Sequence, residues 1–341
     1  MAVQQKSAQT GVPGTFAGLS PSAWQAIGIA AIIAAAFVLP FIVASYRVFQ
    51  MTLIVDYAIA LLGLNMLTGY NGQFSLGHGA FLAIGGYTAA ILMAHAGVPY
   101  WVTIPAAGSI CFIVGFLFGL PALRLQPLYL ALATLALAVA TSPLLKYRAF
   151  QHWTGGSQGI LLNKPRPPFG LPITGDHWLY LFSLMVAIVL FWCGWNLLRG
   201  RIGRAIVAIR DQPIAAETMG INSALFKSLT FGVSAFYTGI AGALSAIAVQ
   251  FVAPDTFGLL LSISLLVGSV IGGMWSIAGA VIGAVFIVFV PNWAGAISTA
   301  LAGAIYGVFL IMFMYVAPFG IAGALYGLWL KVRPKLSDGT G

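Results

Sequence analysis

The chain has 341 residues, of which 60% are hydrophobic and only 6% charged, against roughly 25% charged in an ordinary soluble domain. That composition excludes a soluble globular enzyme, and about 205 apolar residues at about 20 per crossing suffice for about ten membrane-spanning helices. The 15 Lys and Arg outnumber six acidic residues, an excess that membrane orientation explains without nucleic acid, because nearly all charge sits between apolar runs.

Residues 1–22 carry one Lys and no apolar core, so they are not a secretory signal and read as a flexible cytoplasmic tail. Apolar runs between charges and Pro/Gly breaks predict spans near 24–44, 51–69, 80–95, 102–123, 128–145, 178–198, 229–249, 258–272, 277–291 and 295–317. The runs 80–95, 258–272 and 277–291 are Gly-rich and shorter than the roughly 17 residues of a perpendicular crossing, as helices broken inside a bundle would be. The expected fold is therefore an all-α polytopic membrane protein of about ten helices, some broken. One transmembrane domain covers 23–330, and 331–341 is a polar cytoplasmic tail. Cys111 and Cys193 lie inside apolar runs with no C-x-x-C or Cys/His metal spacing and read as small buried hydrophobes.

Two hydrophilic segments interrupt the spans, 146–177 and 199–228. Placing 199–228 in the cytoplasm puts Arg199, Arg201, Arg204, Arg210 and Lys227 inside, together with Lys6, Arg124, Lys331, Arg333 and Lys335. Arg47, Lys146, Arg148, Lys164 and Arg166 then fall outside. The bias of two to one has the expected sense, so both termini are expected in the cytoplasm and 146–177 in the periplasm.

Asp56 is the one carboxylate inside an expected span, and such a group is a functional candidate by default. It lies about one turn from the outer end of its span, where reaching water or pairing with Arg47 competes with a proton-relay role. The segment from Asn65 to Ala80 follows, with Asn65, Gly72, Gln73, Ser75, Gly77, His78 and Gly79 between two apolar runs. Its glycines permit unusual backbone angles, and a broken helix exposes polar backbone that can line a path or gate. The alternative is a tightly packed elbow with His78 hydrogen-bonded inside the protein. Residues 72–79 (GQFSLGHG) are echoed at 273–280 (GMWSIAGA), with Gly, aromatic, Ser, aliphatic and small recurring in order. Internal repeats of this kind build transporters, although small residues also recur wherever membrane helices pack closely.

Within 199–228, Asp211 is placed to cap a short helix from about Gln212 to Met219, Pro213 suits its first turn and Gly220 its end. That helix is roughly 12 Å long. Ala215 and Met219 share one face, Ala216 and Gly220 another, which makes a small apolar knob suited to a partner protein; a helix lying on lipid is the alternative. The chain has no G-x-x-x-x-G-K-[ST], H-E-x-x-H or G-x-S-x-G motif, and Glu217 is its single Glu. Work against a gradient must therefore draw on another chain or on an ion.

The stretches GLNMLTGYNGQFSLGHGAFLAIGGYTAAIL (63–92) and RIGRAIVAIRDQPIAAETMGINSALFKSLTFGVSAFYTGIAGAL (201–244) resemble the LivM-type permease subunits of bacterial ABC importers for branched-chain amino acids. TGGSQGI (154–160), GGMWSIAGAVIGA (272–284) and APFGIAGAL (317–325) add to the likeness. The resemblance implies an inner-membrane subunit that binds no cofactor of its own. It would work with a second, LivH-like permease, two cytoplasmic ATPase subunits that hold ATP and magnesium, and a periplasmic substrate-binding protein. It also implies that the knob is the ATPase-coupling helix. Of that helix's E-A-A-x-x-x-G pattern, Ala215, Ala216 and Gly220 match. Ile214 stands in the leading Glu position and an acid appears later as Glu217, which leaves Asp211, Ile214, Ala215, Ala216, Glu217, Met219 and Gly220 as the expected coupling residues. Urea or short amides are the alternative substrates, and a self-sufficient carrier using Asp56 or His78 as proton relay is the alternative class.

Overall fold

A backbone surrounded by lipid must satisfy its own hydrogen bonds, and in this chain it does so almost wholly as helix. The computed structural model describes residues 33–122, 127–165, 167–168, 173–297 and short stretches at 303–304, 307–308, 311–312, 315 and 320–323. We label its principal helices α1 (Ser45–Asn65), α2 (His78–Ala96), α3 (Tyr100–Ala122), α4 (Pro127–Leu145), α5 (Gly175–Arg199), α6 (Arg201–Asp211), α7 (Pro213–Thr218), α8 (Ser223–Val249), α9 (Leu259–Gly272) and α10 (Ile277–Ile297). Among the described residues six helices are long and apolar enough to cross a membrane: α1 with its extension to Tyr70, α2, α3, α5, α8 and α10. The apolar stretches of α4 and α9 are shorter. The expected tails 1–22 and 331–341, the first part of the span 24–44 and most of the span 295–317 lie outside the described residues.

Several boundaries differ from expectation for identifiable reasons. Of the three short runs, only α9 is short, at 14 residues, whereas α2 has 19 and α10 has 21. Small residues at the start of α2 pack inside the helix rather than interrupting it. α10 continues through Pro291, where the neighbouring Asn292 side chain donates to the Val288 carbonyl at 2.7 Å; side-chain donors of this kind help membrane helices tolerate proline. Besides the expected short helix, the segment 199–228 holds a second one, α6, and the start of α8. Cys111 is buried as expected, but Cys193 is exposed on α5, on the outward side that also carries Trp192.

α8 is the centre of the bundle, packed against α3, α2 and α1, while α1 also packs on α5 and α10, and α9 pairs with α10. Small residues make these approaches possible, since little hydrophobic force drives helix association in lipid and close packing must replace it. A Cβ at Gly85 would strike the Gly239 carbonyl, and one at Gly242 would strike the Leu82 carbonyl. Phe231 of α8 fills the remaining space edge-on to Phe81 of α2, with ring centroids 5.8 Å apart.

Antiparallel succession brings the end of α1, the start of α2, α6, and the α9–α10 junction to one end of the bundle. At the opposite end, β1 (Ile160–Leu161) pairs antiparallel with β2 (Phe251–Val252), with Ile160 opposite Val252. There Lys146 meets Asp255 at 2.5 Å and Ser142 donates to the same carboxylate at 3.2 Å. These bonds, led by Lys146, hold the Asp255 carboxyl below the usual carboxylate range.

Candidate functional site

The helical ladder of α1 loosens at Met66–Tyr70, which forms a π-type turn. In an α-helix the Gln73 N–H would donate to Gly69 O; here it donates to Leu67 O at 3.1 Å, which leaves the Gly69 carbonyl without a helical partner. Gly72 then takes a left-handed conformation, φ +73°, and α2 starts at His78. The α9–α10 junction has the same plan: Gly273, at φ +111°, follows the end of α9, and α10 begins at Ile277. Both echoed octets are thus elbows between consecutive helices.

The two elbows touch. Asn65 Nδ2 donates to Ser276 O at 3.2 Å, and Asn65 Oδ1 accepts from Ser269 Oγ at 2.5 Å. Tyr70 donates its hydroxyl to Trp275 O at 2.9 Å, and Gly69 lies so close to the Met274 carbonyl that a Cβ there would collide with it. Two carbonyls of the second elbow, Trp275 O and Ser276 O, are therefore taken by side chains of the first.

His78 belongs to a continuous chain of hydrogen bonds. Ser234 donates to Gly63 O at 2.7 Å, so its oxygen accepts from His78 Nε2 at 2.7 Å, and His78 Nδ1 accepts from Ser75 Oγ at 2.9 Å. The Ser75 oxygen in turn accepts from Gly77 N at 3.3 Å. Every donor and acceptor in this run has a partner, so His78 joins α2, α8 and α1 as an interior brace. Gly77 rests on the Thr134 backbone of α4, Thr134 Oγ1 accepts from Leu76 N at 2.9 Å, and Gly79 N donates to Ser262 Oγ of α9 at 3.1 Å. Asn65, Gln73, Ser75, Gly77, His78 and Gly79 are buried, and Gly72 is half-buried. The elbow is a packed junction of five helices, α1, α2, α4, α8 and α9. Thr68 Oγ1 and both amide atoms of Asn71 are buried in it without hydrogen-bond partners.

Asp56 is fully enclosed, beside Ser183 of α5, and neither carboxyl oxygen has a partner that meets hydrogen-bond geometry. Neither contact with water nor pairing with Arg47 occurs. The reason is the start of α1 at Ser45 rather than near 51, which carries Asp56 about 9 Å deeper along the helix than expected.

On the elbow side, α6 carries Arg210 to Gly69. Nη1 donates to the orphan Gly69 O at 3.0 Å, and the guanidinium lies over the Trp275 ring at 4.1 Å. Asp211 accepts from Nε at 2.8 Å and Nη2 at 2.7 Å. Asp211 is therefore the last residue of α6 and does not cap the next helix. The N-cap of α7 is Gln212, with no side-chain cap bond. Pro213 occupies the first turn as expected, and Gly220 takes φ +83°, an angle that glycine adopts freely. Of the expected knob, Ala216 is turned inward, 4% exposed, while Ile214 is 80% and Met219 85% exposed. Ala215, Glu217, Gly220 and Asp211 are exposed as well.

Residues 46–317 match the family described as branched-chain amino acid transport system, permease component. The chain belongs to this family. It is 33% identical over 288 residues to the high-affinity branched-chain amino acid transport system permease protein LivM of Escherichia coli K12, covering 77% of this chain and 67% of that relative. The LivH permease of Salmonella typhimurium is 25% identical over 251 residues, 68% of this chain and 79% of the relative. The BraD permease of Pseudomonas aeruginosa is 26% identical over 244 residues with the same coverage. No solved structure matches. The permease is thus a multi-pass membrane transport subunit and not an enzyme.

Sequence reasoning missed the residues that complete this site: Arg210, Thr134, Ser234, Ser262 and Ser269. In the sequence Arg210 stands out only as one of the basic residues that orient the chain. The hydroxyls stood in apolar runs, where an interior hydrogen bond is the usual reason for their presence.

Proposed function

We propose that this permease is one of two membrane-spanning subunits of an ATP-driven importer of branched-chain amino acids in a bacterial inner membrane. A LivH-like permease, two ATPase subunits holding ATP and magnesium, and a periplasmic substrate-binding protein complete it. The observation that carries the reading is α7. It is a short helix that turns two large apolar side chains, Ile214 and Met219, outward at the elbow end, on a chain with no phosphate loop of its own. An exposed apolar knob on a segment that also carries Arg199, Arg201 and Arg204 suits a groove on a cytoplasmic ATPase.

In this mechanism the coupling residues are Ile214, Ala215, Glu217, Met219 and Gly220 on the exposed surface, with Ala216 anchoring the knob from inside. Asp211 belongs to the Arg210 contact beneath. The elbow formed by Asn65, Gly72, Gln73, Ser75, Gly77, His78 and Gly79 serves as gate rather than open channel. ATP-driven closure of the motor subunits shifts α7, the elbow repacks, and the substrate passes between the two permeases. Thr68 and Asn71 hold polar atoms for which a moving elbow supplies partners. The orientation with α7 and both termini in the cytoplasm follows the two-to-one charge bias. Co-expression of the four membrane and ATPase subunits tests the reading. Leucine uptake dependent on ATP and on the binding protein supports it, and uptake by this chain alone in a proton gradient refutes it.

A further inference from the structure

The coupling helix and the gate are separate structures, and a single side chain joins them at both elbows. Arg210 stands in the last turn of α6, two residues before the Gln212 link to α7. Its four contacts use the whole guanidinium. Nη1 takes the carbonyl that the π-turn released at Gly69, and the planar face covers Trp275 of the second elbow. Nε and Nη2 grip Asp211, which fixes the plane of the group. The aliphatic stem lies against Gly72, where a Cβ would come within 2.7 Å of Arg210 Cγ. The first elbow is thereby tied through its backbone, the second through an aromatic face, and both to the element that carries the knob. Any displacement of α7 that moves α6 must carry this guanidinium with it or break contacts to both elbows.

We propose that Arg210 is the positioning residue that transmits motion of the coupling helix to the two elbows together, so that ATP hydrolysis and gate opening are held in fixed ratio. This rests on the importer reading. Lysine cannot replace it: an ammonium on a flexible stem reaches the Gly69 carbonyl but offers neither a second fork for Asp211 nor a plane to stack on indole. Trp275 is expected to act in the same unit, its hydrogen-bonded carbonyl clasped by Tyr70 while its ring bears the guanidinium.

The test uses the complete importer in proteoliposomes, with leucine uptake and ATP hydrolysis measured on the same preparation. Arg210→Ala is expected to co-purify with the ATPases and hydrolyse ATP at the basal rate, while leucine moved per ATP falls about tenfold, within the range of known coupling effects. Arg210→Lys restores only part of the ratio. Trp275→Leu lowers it, and its effect does not add to that of Arg210→Ala, as for two members of one unit. An unchanged ratio in Arg210→Ala, or full rescue by Lys, overturns the proposal. Loss of assembly in Arg210→Ala, Arg210→Lys and Trp275→Leu alike assigns Arg210 a merely structural role and also overturns it. Failure of the importer reading is distinguishable, because then the wild-type assembly shows no ATP-dependent uptake at all.

Discussion

Replacing Asn65 by Leu removes one of the side chains that join the first elbow to the second while keeping the same branching and number of side-chain heavy atoms. Two hydrogen bonds are lost, from Nδ2 to Ser276 O at 3.2 Å and from Ser269 Oγ to Oδ1 at 2.5 Å. Interhelical hydrogen bonds in membranes average about 0.6 kcal/mol each, so the two supply about 1 kcal/mol. The Ser269 hydroxyl can turn back to a carbonyl four residues earlier in α9, whereas the Ser276 carbonyl is left unpaired and adds about 1 kcal/mol more. The expected destabilisation is about 2 kcal/mol, roughly a thirtyfold change in the folded-to-unfolded ratio. Reversible unfolding in mixed micelles, followed by tryptophan fluorescence, measures it. A double-mutant cycle with Ser269→Ala should return a coupling of about 0.6 kcal/mol. If Asn65→Leu keeps full stability and yet abolishes uptake, Asn65 acts as a polar lining of the substrate path, and the bracing argument is wrong.

Three further outcomes follow from the same geometry. Ile214→Asp together with Met219→Asp should prevent recovery of the ATPases with the permease while leaving its membrane insertion intact; Ala216→Arg, by contrast, strikes a residue turned inward and should destabilise the knob itself, which limited proteolysis would reveal. Asp56→Asn should retain leucine uptake at every external pH and keep or raise stability, because a buried carboxylate without partners costs more than a buried amide; a strong loss of uptake would make Asp56 a working group. The Lys146–Asp255 pair titrates with a sign that can be checked. Since Asp255 ionises more readily in the folded chain than in the unfolded one, its contribution is present above the ordinary carboxylate value of about 4 and disappears as pH falls through the lower folded value. The stability difference between wild type and Lys146→Met should therefore be present at neutral pH and vanish in acid, and a difference that persists in acid would show that the lysine acts by packing alone.

The sequence disclosed the class, the order of apolar helices and both elbows, because charge depletion and glycine clusters are local signals. It also located α7 to within a residue at each end, since Pro213 and Gly220 punctuate the chain by their own conformational limits. What it left open depends on contacts distant along the chain. Nothing near His78 announces Ser234, 156 positions later, and nothing near Gly69 announces Arg210. Asp211 illustrates the limit of a local rule: a good capping residue in the right place instead grips the arginine beside it, because a buried carbonyl and an indole ring have fixed that arginine's position. The inward turn of Ala216 is of the same kind, for helical periodicity groups residues on faces without saying which face meets the protein.

The most direct test of the account is transport by the purified permease with and without its proposed partners, in sealed proteoliposomes supplied with ATP and leucine. The account predicts uptake only when the second permease, both ATPases and the loaded binding protein are present, and none in a proton gradient with this chain alone. Uptake by the isolated chain, driven by protons and lost in Asp56→Asn, would contradict it.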